Sequence, residues 1–124
     1  YIRQHFELVH STFLNGTAEF AQPAMAYPEL TRLAKIATRM GARLELTGHT
    51  DGTGSEADNL RLSIERAQSV RRFLIEKCGF PAGHVTATGY GSANPECDNN
   101  TEEGRRCNRR VEVLFRMPEI AEGG

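Results

Sequence analysis

Apolar residues recur along this chain with two periods that alternate. An extended run lies between Phe6 and Leu14, ahead of the turn signal Asn15-Gly16. Pro28 suits the first turn of a helix, and from there Leu30, Leu33, Ala34, Ala37 and Met40 repeat every three or four residues until Gly41 stops them. Arg43-Leu44-Glu45-Leu46-Thr47 alternates as a strand does. After a polar, Gly-rich stretch from Gly48 to Asn59, a second helical stripe follows: Ile64, Ala67, Val70 and Leu74. Ser63 is its predicted N-cap, and Gly79 with Pro81 marks its end. Val85 to Thr88 reads as a short strand closed by Gly89-Tyr90-Gly91. Thr101 with Glu103-Gly104 opens one short helical turn, and Arg109 to Arg116 makes a last strand with Val111, Val113 and Phe115 on one face.

The order β-α-β-α-β-β predicts an α/β two-layer sandwich, with a mixed four-stranded sheet and helices packed on one face. The last connection is too short for a full crossover helix, which makes the sheet mixed in direction. The 124 residues are 39% hydrophobic, enough for one core, while 12 Gly and 5 Pro disfavour a helical bundle. Residues 1–117 are expected to form one domain and residues 118–124 a flexible tail, with no internal repeat.

Charge removes two classes of partner. Lys and Arg number 15 against 16 Asp and Glu, a net charge of -1. That gives no global field for nucleic acid or an anionic membrane. No stretch approaches the roughly 20 apolar residues a membrane span needs. The chain opens Tyr-Ile-Arg-Gln-His, without Met or a signal-peptide pattern, and reads as a fragment whose targeting signal or anchor lies outside it. Of three cysteines, Cys97 and Cys107 bracket a polar stretch. A bridge between them would restrict the unfolded chain by about 3 kcal/mol and would imply an oxidising compartment. Three unrelated thiols remain the competing reading. Cys78, before Gly79, is expected to be a small buried or half-buried residue.

Several tempting motifs fail on their chemistry. Gly52-Thr-Gly54-Ser-Glu-Ala57 fits a dinucleotide fingerprint, but the acidic ribose ligand expected about 20 residues on is replaced by a helical run around Arg72, so a glycine-permitted turn is preferred. His49, Asp51, Glu56 and Asp58 lack the spacing of a metal site. No nucleophile and base can be argued around Ser63, Ser69 or Ser92, so catalysis is the weaker class. Asn15 and Asn99 begin glycosylation acceptor patterns of a kind common by chance in turns. The cluster Arg105, Arg106, Arg109 and Arg110 lacks interleaved aromatics and reads as a solvated loop and strand edge; one of Arg109 and Arg110 can face inward to carbonyls or carboxylates. Arg66 is odd. If Ser63 caps the helix, Arg66 lies in the first turn, where the dipole disfavours a cation, and a broken local rule points to a site.

Taken together, Thr47-Gly48-His49-Thr50-Asp51-Gly52-Thr53-Gly54-Ser55, then Asn59, Leu62-Ser63, Arg66-Ala67 and Val70, resemble the signature of OmpA-like peptidoglycan-binding domains. Gly89-Tyr90-Gly91, Asn94-Pro95, Thr101, Gly104-Arg105 and Asn108-Arg109-Arg110-Val111 continue the match in order, over roughly residues 44–115. Phe13, Gly16 and Ala18 agree more weakly. Asp58 departs from the family, which often has an aromatic there.

The resemblance implies a non-enzymatic, periplasmic wall anchor tethered to the outer membrane. Its partner would be the peptidoglycan stem peptide at meso-diaminopimelate, with no cofactor, no metal and no nucleic acid. Membrane contact would come only through parts of the parent outside this chain, and a homodimer is allowed. Carried over by position, Asp51 would accept the ligand's ammonium and Arg66 would clamp its carboxylate, while Thr50, Asn59, Leu62 and Arg109 would line or support the pocket. The resemblance also favours the Cys97–Cys107 bridge. This chemistry is coherent: a zwitterionic amino-acid head needs a carboxylate and a planar cation close together, and a helix N-terminus adds donors. Asp51→Ala and Arg66→Ala are expected to abolish capture by peptidoglycan with stability nearly unchanged, as for surface sites. The alternatives are a wall-peptide hydrolase or amidase, and a protein-protein module using the Arg-rich loop.

Overall fold

The computed structural model describes residues 2–7, 13–14 and 16–117, the first six by backbone alone. In chain order the elements are β1 (Ile2–Glu7), α1 (Pro23–Met40), β2 (Arg43–Gly48), α2 (Glu56–Cys78), β3 (Val85–Gly89), α3 (Glu102–Asn108) and β4 (Val111–Met117). The expected tail, 118–124, lies outside the described residues, as does most of the extended run expected between Phe6 and Leu14. Within that run Phe13 makes an isolated antiparallel bridge to Phe20.

Three boundaries differ from the sequence reading, each for a local reason. Pro23 takes the first helical position of α1, and Pro28 lies inside the helix. The earlier start brings Ala26 into the core, at the cost of the hydrogen bond that Pro28, now in the second turn, cannot donate to the Ala24 carbonyl. Second, α2 is capped by Ser55, whose Oγ accepts from the Asp58 N–H at 3.2 Å, with Glu56 and Asp58 in the first turn where the dipole favours them. Ser63 is therefore not the cap. It is fully buried mid-helix, its Oγ donating to the Leu60 carbonyl and accepting from the Gly91 N–H. Arg66 then lies about three turns into α2, so the first-turn anomaly does not exist. Third, the single turn expected at Thr101 is a seven-residue helix, capped by the Thr101 hydroxyl and led by Glu102 and Glu103. This adds an element to the expected order. Arg109 caps the C-terminus of α3, and β4 begins only at Val111.

The sheet is mixed, in the order β1-β4-β2-β3. β2 pairs parallel with β3 and antiparallel with β4, and β1 runs antiparallel along the outer side of β4. Three strands carry the side chains described in the packing layer; β1 contributes backbone pairing. Leu44 and Leu46 of β2, Val111, Val113 and Phe115 of β4 and Val85 of β3 face one way. They meet Leu30, Leu33, Ala34 and Ala37 of α1 and Ala67, Val70 and Leu74 of α2 in one core.

The closest approach of helix to sheet sits beside the functional end. Gly48 and Gly89 are register partners on the parallel pair. A Cβ on Gly48 would fall on the backbone carbonyl of Ser63, and one on Gly89 on the Ser63 hydroxyl. Two adjacent bare backbones thus let α2 lie directly on the strand ends. Cys97 and Cys107 form a disulfide across 6.1 Å between Cα atoms, fastening α3 to the preceding loop, and Cys78 is a free, half-buried thiol.

Candidate functional site

In a parallel pair, loops leaving the carboxyl ends of the strands form the natural crevice. Here β2 continues past Gly48 into His49, Thr50 and Asp51, held by His49 N–H to the Arg110 carbonyl (2.8 Å) and Thr50 N–H to the Gly91 carbonyl (2.9 Å). This fixes where Asp51 leaves the sheet. One Asp51 oxygen accepts from the Thr53 N–H at 2.8 Å, the other from Arg109 Nη1 at 2.9 Å. Burial alone would raise this carboxyl, but the Thr53 N–H and the Arg109 guanidinium outweigh it and hold the group below its ordinary value.

Arg66 is fully buried, directly contrary to a surface site. Its Nε donates to the Thr17 carbonyl (2.8 Å), Nη1 to that of His49 (3.0 Å) and Nη2 to that of Leu14 (3.2 Å), with the guanidinium 5.3 Å from the centre of the Phe13 ring. Three of five N–H groups are used this way, leaving one on each terminal nitrogen without a partner among the described residues. Burial, then the charge of Arg109, pushes Arg66 down to about 10, partly opposed by Asp51. It therefore remains a cation at neutral pH.

Both residues border a cavity of about 460 Å³ that Thr50, Asn59 and Leu62 also line. Of the sequence-derived residues only Arg109 stands behind the wall, touching Asp51 rather than the space. The lining also includes Gly16, Thr53, Gly54 and Asp58, which the sequence named without making them ligand contacts, and Arg61 and Glu65, which it did not single out. Asp58 and Arg61 pair at 3.1 Å on the exposed rim, so Asp58 does not face the cavity as a bare charge. The first two turns of α2 form one wall, which explains why their sequence shows no apolar stripe.

Two polar groups in the lining are left over. Thr50 Oγ1 is buried without a hydrogen-bond partner among the described residues. Asn59 is buried, and its side-chain amide makes no hydrogen bond among the described residues. Buried polar groups are nearly always satisfied, so the Thr50 hydroxyl facing a cavity marks a place for a polar ligand, with the Asn59 amide beside it in the lining. With Asp51 and Arg66 in its lining, the cavity offers an anion, a fixed cation and two neutral groups that both donate and accept.

The Arg cluster is not a solvated face. Arg109 and Arg110 are both buried. Arg109 gives its three nitrogens to Phe13 O, Asp51 and Glu102, while Arg110 reaches Glu112 and the Asn94 carbonyl. Only Arg105 and Arg106 remain towards solvent.

Because the native Asp51 carboxyl lies below its unfolded value of about 3.9, folding releases a proton between the two. Its contribution to stability is complete above about pH 5 and is lost as pH falls through the lower, native value. In a urea series against pH, Asp51→Asn should have a shallower acid limb than wild type and the same slope at pH 6–8. Identical acid limbs would refute the pairing.

The profile of the OmpA family matches residues 12–109 of this chain. A peptidoglycan-binding protein of Mycobacterium tuberculosis, ArfA, is 43% identical over 89 residues, 71% of this chain and 27% of that protein. The chain thus spans about a quarter of that relative's length. The C-terminal domain of Helicobacter pylori MotB superposes with a TM-score of 0.76 at 30% identity, covering 87% of this chain and 84% of that one. The cell wall anchor of the T6SS from Pseudomonas aeruginosa superposes at 0.73 with 28% identity, covering 94% and 81%.

Proposed function

This chain belongs to the OmpA family, and on that premise we propose that it is a non-enzymatic module that binds peptidoglycan and anchors its parent to the cell wall in the bacterial envelope. The ligand is the stem peptide at its meso-diaminopimelate residue. The Thr50 hydroxyl, buried in the cavity lining without a hydrogen-bond partner among the described residues and next in the chain to Asp51, carries this reading. Asp51 accepts the ligand's ammonium, the two remaining Arg66 N–H groups meet its carboxylate, and Thr50, Asn59 and Leu62 frame the head between them. Arg109 supports Asp51 from behind. A mycobacterial relative that is a peptidoglycan-binding protein and a structural neighbour that is a cell wall anchor agree with a wall ligand.

A few charge-assisted contacts of roughly 1.5–3 kcal/mol, less the cost of ordering the ligand, correspond to micromolar-to-millimolar binding per stem. Firm attachment comes from many stems and many copies. Burial of Arg109 and Arg110 removes half of the basic patch that a protein-docking alternative needs.

The test is calorimetric titration with a diaminopimelate stem peptide and its lysine equivalent, which lacks the second carboxylate. Selective binding of the first is expected, with Asp51→Asn weakening it at least tenfold. Equal binding of both peptides would remove the carboxylate from the recognition, and binding of neither would end the wall-anchor reading.

A further inference from the structure

Behind the pocket wall runs a chain of alternating charges that ends at the surface. Asp51 accepts from Arg109 Nη1 at 2.9 Å, and Arg109 Nη2 donates to Glu102 at 2.9 Å. The other Glu102 oxygen accepts from Arg105 Nε at 3.1 Å. Asp51 and Arg109 are buried, with side-chain exposures of 5% and 6%, while Glu102 is 56% exposed. The third nitrogen of Arg109 is fixed on the Phe13 carbonyl. Around Asp51, then, the charged neighbours are Arg109 and, from α2, Arg66; the Thr53 N–H comes from its own loop.

Such an arrangement poses a problem for a cation binder. A carboxylate paired with a dedicated buried guanidinium, and close to a second, is largely neutralised as an acceptor for a ligand's ammonium. Glu102 answers it by taking one edge of Arg109, so that the guanidinium is shared between two carboxylates. It also holds Arg109 by a second charge-assisted hydrogen bond, fixing the direction from which Asp51 is supported. Glu102 itself lies outside the cavity lining. Its position on α3 is secured by the Thr101 cap, the disulfide of Cys107, and Asn108, which donates to the Cys97 carbonyl and accepts from the Glu96 and Cys97 N–H groups.

We propose that Glu102 is a positioning residue of the pocket, acting through Arg109 to keep Asp51 available as an acceptor for a ligand ammonium. This rests on the binding reading above, and it predicts two effects of Glu102→Gln with a built-in control. Glu103 is the adjacent acid of the same helix and makes no hydrogen bond or ion pair with Arg109 among the described residues, so Glu103→Gln removes the same charge without breaking the chain of pairs.

The first measurement needs no ligand. In an NMR titration of the Asp51 carboxyl, Glu102→Gln should move it further down, because Arg109 then serves Asp51 alone, whereas Glu103→Gln should leave it in place. If Glu102 were only a brace for α3, its loss would free Arg109 and move Asp51 up towards the ordinary value. An upward shift or none overturns the proposal. The second is titration with the diaminopimelate stem peptide, where Glu102→Gln should bind about three- to fivefold more weakly at low ionic strength and approach wild type as salt is raised. An equal loss in Glu103→Gln, or a loss unaffected by salt, also overturns it. Should wild type not bind the peptide, the wall-anchor reading fails by itself, and the carboxyl titration still decides what Glu102 does to Asp51.

Discussion

Arg66→Ala is expected to cost about 3–5 kcal/mol of stability, from buried acceptors left unmet and the void left behind, a large part of what a domain of this size possesses. The guanidinium is fully buried, and its three hydrogen bonds gather the carbonyls of Leu14, Thr17 and His49. Removing it leaves those acceptors facing a void, with the Phe13 ring losing the cation above it. This reverses the expectation that a ligand-clamping Arg can be truncated with stability intact. It also changes how a binding experiment must be read: loss of capture in Arg66→Ala reports a dismantled site as readily as a missing contact. Arg66→Lys keeps the charge but cannot reach three carbonyls at once, so an intermediate loss is expected. Urea unfolding gives the magnitude, and amide exchange at Thr17 and His49 gives the location. A wild-type midpoint in Arg66→Ala would mean that the carbonyl ring carries no energy.

Much of the framework was legible in the sequence, because periodicity is a local property. The alternation in β2 and β4, the stripes Leu30–Ala37 and Ala67–Leu74, and the stops at Gly41 and Gly79 all appear where expected. The start of α2 was not, since its first turns line a cavity and carry polar residues where an apolar stripe would announce a helix. Burial of the arginines was hidden for another reason. Arg66 meets partners 49 and 52 residues away, and Arg109 meets partners 58 and 96 away. A cation with no acid at helical spacing reads as exposed, because only the assembled fold supplies the acceptors that make its burial affordable. The signature named Thr50, Asp51, Asn59, Leu62 and Arg66, which line one cavity, and gave Arg109 as lining or supporting it; it did not say which of the two, nor that Glu102 also bonds Arg109.

The other large effect is expected at Gly48, where the fold and the site are the same problem. A methyl group there falls on the Ser63 carbonyl, which belongs to a rigid helix and cannot rotate away. The helix must therefore lift, and lifting it opens the core at Ala67 and Val70 on the same face. Overpacking against backbone should cost Gly48→Ala about 3 kcal/mol or more. Gly89→Ala meets the Ser63 hydroxyl and the Ile64 N–H and should behave alike. Gly83→Ala is the control: nothing lies within 4 Å of its added Cβ, so its midpoint should stay within about 0.5 kcal/mol of wild type. Binding should fall with stability in the first two, since Asn59, Leu62 and Arg66 ride on the stretch of α2 that moves while Asp51 stays with the sheet. Thermal melts and stem-peptide titrations of the three variants separate these cases. A stable Gly48→Ala that still binds would show that α2 can slide over the strand ends without disturbing the pocket, and that the bare Gly48–Gly89 pair is not what sets the distance between Asp51 and Arg66.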